Sequence, residues 1–278
     1  MTFSHSVSHQ EPVTSGTTLC NGVQIETLLG RGGMAEVWRA ATVAGSTVAL
    51  KIPRADPRVR SVANQLIRRE FSILERLSHT HVLKSLGLIA VEDRPCLITE
   101  YLGGGDLVSL LGARPRYWVR AARDVALALA YVHESGKVHR DVKPRNVLFS
   151  ATDGGARLVD FALAADIGGK ASRGGGTAAY ARVAQRQGAV SEVADDVHAF
   201  AVLLYELLAG RLPFGANPPL ELLQIEPSPP VMTSDRVDSG SLALAELVQE
   251  TLSPGRKSAP GSVRPFLDVL ESMLLEYE

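Results

Sequence analysis

The sequence predicts an α+β chain of two lobes, a small β-rich one with one major helix and then a larger, mostly helical one. Three observations carry this expectation. Up to about residue 102, short apolar runs with strand-like alternation recur between glycine and proline breaks. Beyond Gly103-Gly104-Gly105 the apolar residues fall at helical spacing over long stretches. Within that second part, one short string, His139-Arg140-Asp141-Val142-Lys143-Pro144-Arg145-Asn146, packs an Asp, a Lys and an Asn close together.

The elements follow in order. Residues 1–18 are rich in Ser, Thr and His and poor in large apolar residues, which predicts a poorly ordered leader. Val23-Gln24-Ile25 alternates as a strand and runs into Gly30-Arg31-Gly32-Gly33. Val37-Trp38-Arg39-Ala40 reads as the return strand, so the glycines sit at a hairpin tip. Ser46 to Ile52 reads as a third strand, stopped by Pro53 and Pro57. A helix is expected over Ala63 to Leu77, with Leu66/Ile67, Phe71, Leu74 and Leu77 on one stripe, then strands at Leu86 to Val91 and Cys96 to Tyr101. The division expected is a leader over 1–18, a first lobe over 19–102 and a second over 103–278. A cleft between two such lobes is a usual place for a ligand. In the second lobe Arg114-Pro115 opens a long helix with Trp118, Ala121/Ala122, Val125, Leu129 and Val132 on its stripe and Gly136 as its stop. Further helices are expected at Asp195 to Leu208, closed by Gly210, at Leu242 to Leu252 and at Val263 to Leu275.

Composition narrows the function. A net charge of −1 argues against a nucleic-acid binder or a polybasic membrane binder. Two cysteines, Cys20 and Cys96, form neither a disulfide framework nor a metal spacing, which fits a reducing, cytoplasmic setting. No charged head followed by an apolar run marks a signal peptide. The longest apolar segment, Ala199 to Leu208, is too short to span a bilayer.

The chemistry suggested by the charged string is phosphoryl transfer. Asp141 can accept a hydroxyl proton, Lys143 can meet phosphate charge, and Asn146 can ligate a metal. Asp160-Phe161 follows the apolar pair Leu158-Val159 and offers a second acid for Mg²⁺. With Lys51 at the end of Val48-Ala49-Leu50-Lys51, these residues stand at the spacing of the catalytic groups of eukaryotic-like serine/threonine protein kinases, and the chain resembles that family from about residue 22 to 275.

That resemblance implies a bilobal protein-kinase-like fold and ATP with Mg²⁺ (or Mn²⁺) as cofactors. The catalytic set would be Asp141, Lys143, Asn146, Lys51 and Glu70, with Glu70 preferred over Glu75 as the partner of Lys51. Nucleotide binding falls to Leu29, Gly30, Gly32, Gly33, Val37, Ala49, Lys51, Thr99, Glu100, Leu102, Leu148 and Asp160. The metal falls to Asn146 and Asp160. Partners would be proteins with Ser/Thr acceptors, including a second copy in a transient dimer for autophosphorylation. Asp196, or its neighbour Asp195, would anchor the catalytic loop, and Arg140 would receive a phosphate on Ser172.

Three departures stand out. Ala35 replaces the third glycine of the loop, Ala162 follows Asp160-Phe161 where the family has glycine, and Arg182-Val183-Ala184 stands where it has Ala-Pro-Glu. The acid missing at Ala184 would have paired with an arginine, here Arg256, with Glu192 as a substitute. Two alternatives stay open on this footing: a pseudokinase that binds nucleotide or a partner, and a small-molecule phosphotransferase.

Overall fold

Alternation in the first hundred residues becomes a five-stranded antiparallel sheet. Its strands are β1 (Gln24–Arg31), β2 (Ala35–Ala41), β3 (Thr47–Pro53), β4 (Ser85–Val91) and β5 (Arg94–Glu100), in the order β1-β2-β3-β5-β4. The computed structural model describes residues 14–19, 22–91, 93–170, 176–215, 239–253 and 260–277. Packing divides the chain into two units, Met1–Arg76 with Lys84–Tyr101, and Leu77–Leu83 with Leu102–Glu278.

In the first unit the period of the strands sorts the residues. Val48, Leu50 and Ile52 on β3 join Ile25, Trp38, Ala40, Val91 and Cys96 in one buried cluster. The alternate positions Ala49 and Lys51 face the other way. There Lys51 lies opposite Val37 on β2 and Leu97 on β5, and Ala49 lies opposite Thr99. Helix α1 (Arg60–Leu74) packs on the sheet through Ala63, Ile67, Ile73 and Leu74, and Glu70 shares that buried stripe. The helix begins earlier than its apolar pattern suggests, because the Asp56 carbonyl accepts the N–H groups of Val59 and Arg60 and turns the chain into it. It also ends earlier, at Leu74, and Leu77 is buried in the second unit instead.

Residues 14–18 differ from the leader expectation. The N–H of Gly16 donates to Ile25 at 2.8 Å, the N–H of Ile25 donates to Thr17 at 2.9 Å, and Thr18 bridges Gln24. Backbone pairing, to which side-chain polarity is indifferent, orders this stretch, while residues 1–13 lie outside the described residues.

The second unit contains β6 (Gly103–Asp106), α2 (Pro115–Glu134), β7 (Lys137–Val138), β8 (Val147–Ser150), β9 (Ala156–Leu158) and β10 (Ala165–Asp166). After these come α3 (Val183–Arg186), α4 (Val193–Ala209), α5 (Leu242–Leu252) and α6 (Arg264–Tyr277). Pro115 occupies the first turn of α2, and Trp118, Ala121, Ala122, Val125, Leu129 and Val132 are all buried, as the spacing predicts. Helix α4 is apolar on nearly every side, and its residues from Ala199 to Leu208 are all buried. It starts with a capping box between Glu192 and Asp195 and stops at Gly210, whose φ of 69° is left-handed. Phe200 of α4 meets Phe266 of α6 edge-on at 5.6 Å.

Candidate active site

The first unit supplies the glycine turn and a buried ion pair. The turn between β1 and β2 is closed by the N–H of Gly32 donating to Ala35 at 2.8 Å. A Cβ built on Gly30 or Gly33 would meet nothing within 4 Å, so both backbones have open space in front of them. None of the three glycines needs a left-handed φ, so their use here is bareness rather than unusual dihedrals. Leu29 is exposed beside them and Val37 is half-buried.

Lys51 donates from Nζ to Oε2 of Glu70 at 2.7 Å, with the glutamate side chain 1% exposed. The two meet because Lys51 is on the α1 side of β3 and Glu70 is on the stripe of α1 that faces it. Glu75 instead sits at the C-terminal end of α1. On β5, the N–H of Lys84 reaches Oε1 of Glu100 at 2.8 Å, and Thr99 is buried across from Ala49.

The second unit gathers the other residues around one carboxylate. Oδ1 of Asp141 accepts the N–H and the hydroxyl of Thr177, both at 3.0 Å. Oδ2 accepts Lys143 Nζ at 2.6 Å and Asn146 Nδ2 at 2.9 Å. Four donors thus meet the roughly four lone-pair sites of a carboxylate. Lys143 also donates to the Thr177 hydroxyl at 2.8 Å, and Asn146 Nδ2 to the Asp141 carbonyl at 2.8 Å. With its amide nitrogen so engaged, Asn146 has its carbonyl oxygen left to offer a cation, the donor type Mg²⁺ takes. Leu102 is buried and its carbonyl accepts the Ala151 N–H, while Leu148 is half-buried on β8.

Asp160 adopts a left-handed backbone, with φ 65° and ψ 71°. Phe161 is fully buried and meets the His139 ring edge-on at 4.7 Å. Ala162 lies in a single 3-10 turn over Phe161–Leu163 and has no positive φ, so alanine is not strained there. The uncommon dihedral belongs to the acid before it.

The loop is held from below by α4. Asp196 is fully buried, and its carboxylate accepts the N–H of His139 and of Arg140, each at 2.7 Å, and Nε2 of His133 at 2.9 Å. Burial alone would raise this carboxyl, but the His133 contact, the charge of the two histidines and the loop N–H bond outweigh it and hold it below the usual aspartate range. The register between the two aspartates is thereby settled, since Asp195 belongs to the capping box instead. Arg140 is buried, with a left-handed φ of 70°. Ser172 and Arg256 lie outside the described residues. Glu192 lies 2.7 Å from Arg182.

The sequence reading missed His133, Gln185 and the Thr177 contacts with Asp141. His133 and Gln185 carry no local signal, being single polar residues brought in from α2 and α3. Thr177 is 36 residues from Asp141 in the chain, and only the fold brings the two together.

Known proteins bear on this geometry. Residues 23–261 match the protein kinase domain family. The chain is 32% identical over 258 residues to the serine/threonine-protein kinase pkn2 of Myxococcus xanthus, covering 87% of this chain and 31% of that protein. It is 37% identical over 223 residues to the serine/threonine-protein kinase PkaA of Streptomyces coelicolor, covering 72% of this chain and 41% of that one. Against the CBL-interacting protein kinase 4 of Oryza sativa subsp. japonica the identity is 38% over 213 residues, or 72% of this chain and 47% of the relative. The chain therefore spans about a third to a half of the length of these curated relatives. With the family match running through the sheet, the Asp141 loop and helix α4, this chain belongs to the protein kinase domain family, which implies ATP and a divalent metal.

Proposed function

We propose that this chain is the catalytic domain of a serine/threonine protein kinase, moving the γ-phosphoryl group of ATP to Ser or Thr hydroxyls of proteins, itself included. The observation that carries this reading is the Asp141 carboxylate, held by Lys143, Asn146 and Thr177 on a loop that Asp196 anchors. Family membership and the names of the relatives support it.

In this mechanism Lys51 grips the α- and β-phosphates of the substrate ATP, and buried Glu70 keeps the ammonium in place. Gly30, Gly32 and Gly33 cover the phosphates with backbone N–H groups, and the residues about Ala49, Thr99, Glu100, Leu102 and Leu148 hold the base. Asn146 and Asp160 would hold Mg²⁺ or Mn²⁺, which when bound neutralises phosphate charge. The acceptor hydroxyl takes a place on Asp141, displacing one of its present donors. Its oxygen forms a bond to the γ-phosphorus, the bond to the bridging oxygen of ADP breaks, and its proton passes to Asp141. Lys143, already a bond away from Asp141, meets the charge of the moving phosphoryl group. Catalysis is then mostly positioning and electrostatics.

A cytoplasmic setting belongs to this reading, in keeping with a sequence that holds only two cysteines. No helix among the described residues is long and apolar enough to cross a membrane. No use of nucleic acid is proposed, and a transient pair of copies would carry autophosphorylation. The test is incubation with γ-labelled ATP and Mg²⁺, followed by phosphoamino-acid analysis. Label on serine and threonine is expected. Nucleotide binding with no label on any protein would favour the pseudokinase alternative, and label on a small metabolite alone would favour the other.

A further inference from the structure

Two consecutive carboxylates at the start of α4 hold two different segments. Asp196 holds the catalytic loop, as described. Asp195, whose side chain is 1% exposed, faces the other way and takes the guanidinium of Arg182, with Nε and Nη2 both 3.0 Å from Oδ1. Arg182 Nη2 also reaches Oε2 of Glu192 at 2.7 Å. The second oxygen of Asp195 accepts the Glu192 N–H at 3.1 Å, so the acid is fixed by the helix start before Arg182 meets it. Burial pushes the Asp195 carboxyl up, and the Glu192 N–H and the Arg182 guanidinium offset only part of that rise.

Arg182 lies in the segment 176–186, which touches the catalytic loop at three other places. Thr177 binds Asp141. Gln185, 1% exposed, donates from Nε2 to the Arg140 carbonyl at 2.8 Å. A Cβ on Gly176 would come 2.8 Å from that same carbonyl, so the backbones are in close contact there. Arg186 ties the turn on itself through the carbonyls of Ala178 and Ala181. The bonds of Thr177 and Gln185 bear on the loop side. Arg182 supplies the ion-paired attachment to α4, the helix that also carries the loop, beside the hydrogen bond that the Tyr180 hydroxyl donates to Glu206 of the same helix.

We propose that Arg182 is a positioning residue for the acceptor. Its clamp on Asp195 and Glu192 does the anchoring that Ala184 cannot, and fixes segment 176–186 in register with Asp141 so that an acceptor hydroxyl lines up. This proposal rests on the phosphotransfer reading. Because Asp195 and Asp196 are neighbours on one helix turn, the acceptor segment and the catalytic base share one rigid support. Displacement of a reacting group by about 1 Å costs on the order of 10²-fold in rate, which is why such an anchor matters far from the reacting atoms.

The test uses the chain as it stands, with myelin basic protein as acceptor and Mg²⁺-ATP as donor. Arg182→Met should lower acceptor kcat/KM by about tenfold or more, the loss expected when a charge-assisted bond is removed, and leave the KM for ATP within twofold. Amide exchange should quicken across 176–186 and stay unchanged across 139–146. Arg182→Lys, which keeps a charge for Asp195 but not the fork to both acids, should recover part of the acceptor kcat/KM, and it carries the test should the Met variant fail to fold. Equal acceptor kinetics and equal exchange in wild type and both variants would overturn the proposal, as would a rise in ATP KM matching the loss for acceptor. A wild-type chain that transfers no phosphate, yet whose 176–186 exchange depends on Arg182, would sink the kinase reading and leave the anchor standing.

Discussion

Asp196→Asn is the most informative single change for the architecture, because it keeps shape and removes charge. Asp196 Oδ2 accepts His139 N–H and His133 Nε2, and Oδ1 accepts Arg140 N–H. An amide nitrogen must replace one of these oxygens and will then face a backbone N–H, whichever way it turns. Leaving one buried donor unsatisfied costs about 1–3 kcal/mol. The surviving bonds fall from charge-assisted to neutral strength, a further loss of about 1 kcal/mol each. Arg140 holds a left-handed φ, a conformation that costs on the order of 1–3 kcal/mol for a non-glycine residue, and its bond to Asp196, whether lost or weakened, is one that keeps it there. The sum is about 3–5 kcal/mol of stability at neutral pH. Because the folded carboxyl lies below its ordinary value, its contribution is complete above the unfolded aspartate pKa of about 3.9 and is lost as pH falls through the folded one. Urea denaturation at pH 7 measures it as a lower midpoint at unchanged slope. A loss under about 1 kcal/mol, against the cost of even one orphaned buried donor, would refute the role given to Asp196.

Further outcomes follow from the same geometry. Glu70→Gln should weaken the hold on Lys51 and raise the KM for ATP several-fold, while protein fluorescence or circular dichroism shows the fold intact; an unchanged KM would detach this pair from nucleotide binding. His198 is pushed down to about 3 by burial and by the charges of Arg182 and Arg186, so the unfolded chain binds its proton first. Stability should therefore be intact above about pH 6.5 and fall below it by up to ~1.4 kcal/mol per pH unit. His198→Gln should flatten that slope between pH 7 and 5, and an equal slope in the variant would contradict the assignment. Ala162→Gly should leave peak activity within a few-fold and quicken amide exchange from residue 160 onward, since glycine widens the choices of a turn that alanine already fits; a rise in activity above tenfold would make the alanine a brake.

Much of this was readable in advance, for physical reasons that also explain the gaps. The sheet and the long helices announce themselves because burial on one face imposes a period of two or of 3.6, and Trp118 to Val132 on α2 shows the second plainly. The strands β6 to β10 are two to four residues long, too short for any period to show. Helix ends moved where backbone bonds rather than apolar spacing decide, as at Asp56 before α1. The Lys51–Glu70 pair was legible only through the family resemblance, since each residue alone reads as an ordinary surface charge. The fit of Asp196 rather than Asp195 beneath the loop depended on the phase of α4, which two adjacent acids leave open. Arg182 was the hardest to place. In sequence it reads only as a departure, and its meaning comes from Asp195 and Glu192, which arrive from another element.

The central claim is that Asp141 accepts the acceptor proton while the nucleotide is held elsewhere, and Asp141→Asn tests it most directly. Steady-state transfer of labelled phosphate, with ATP affinity measured on the same preparations, should show turnover lower by about 10²–10⁴ and nearly unchanged ATP binding. Turnover in the variant equal to wild type would contradict the account.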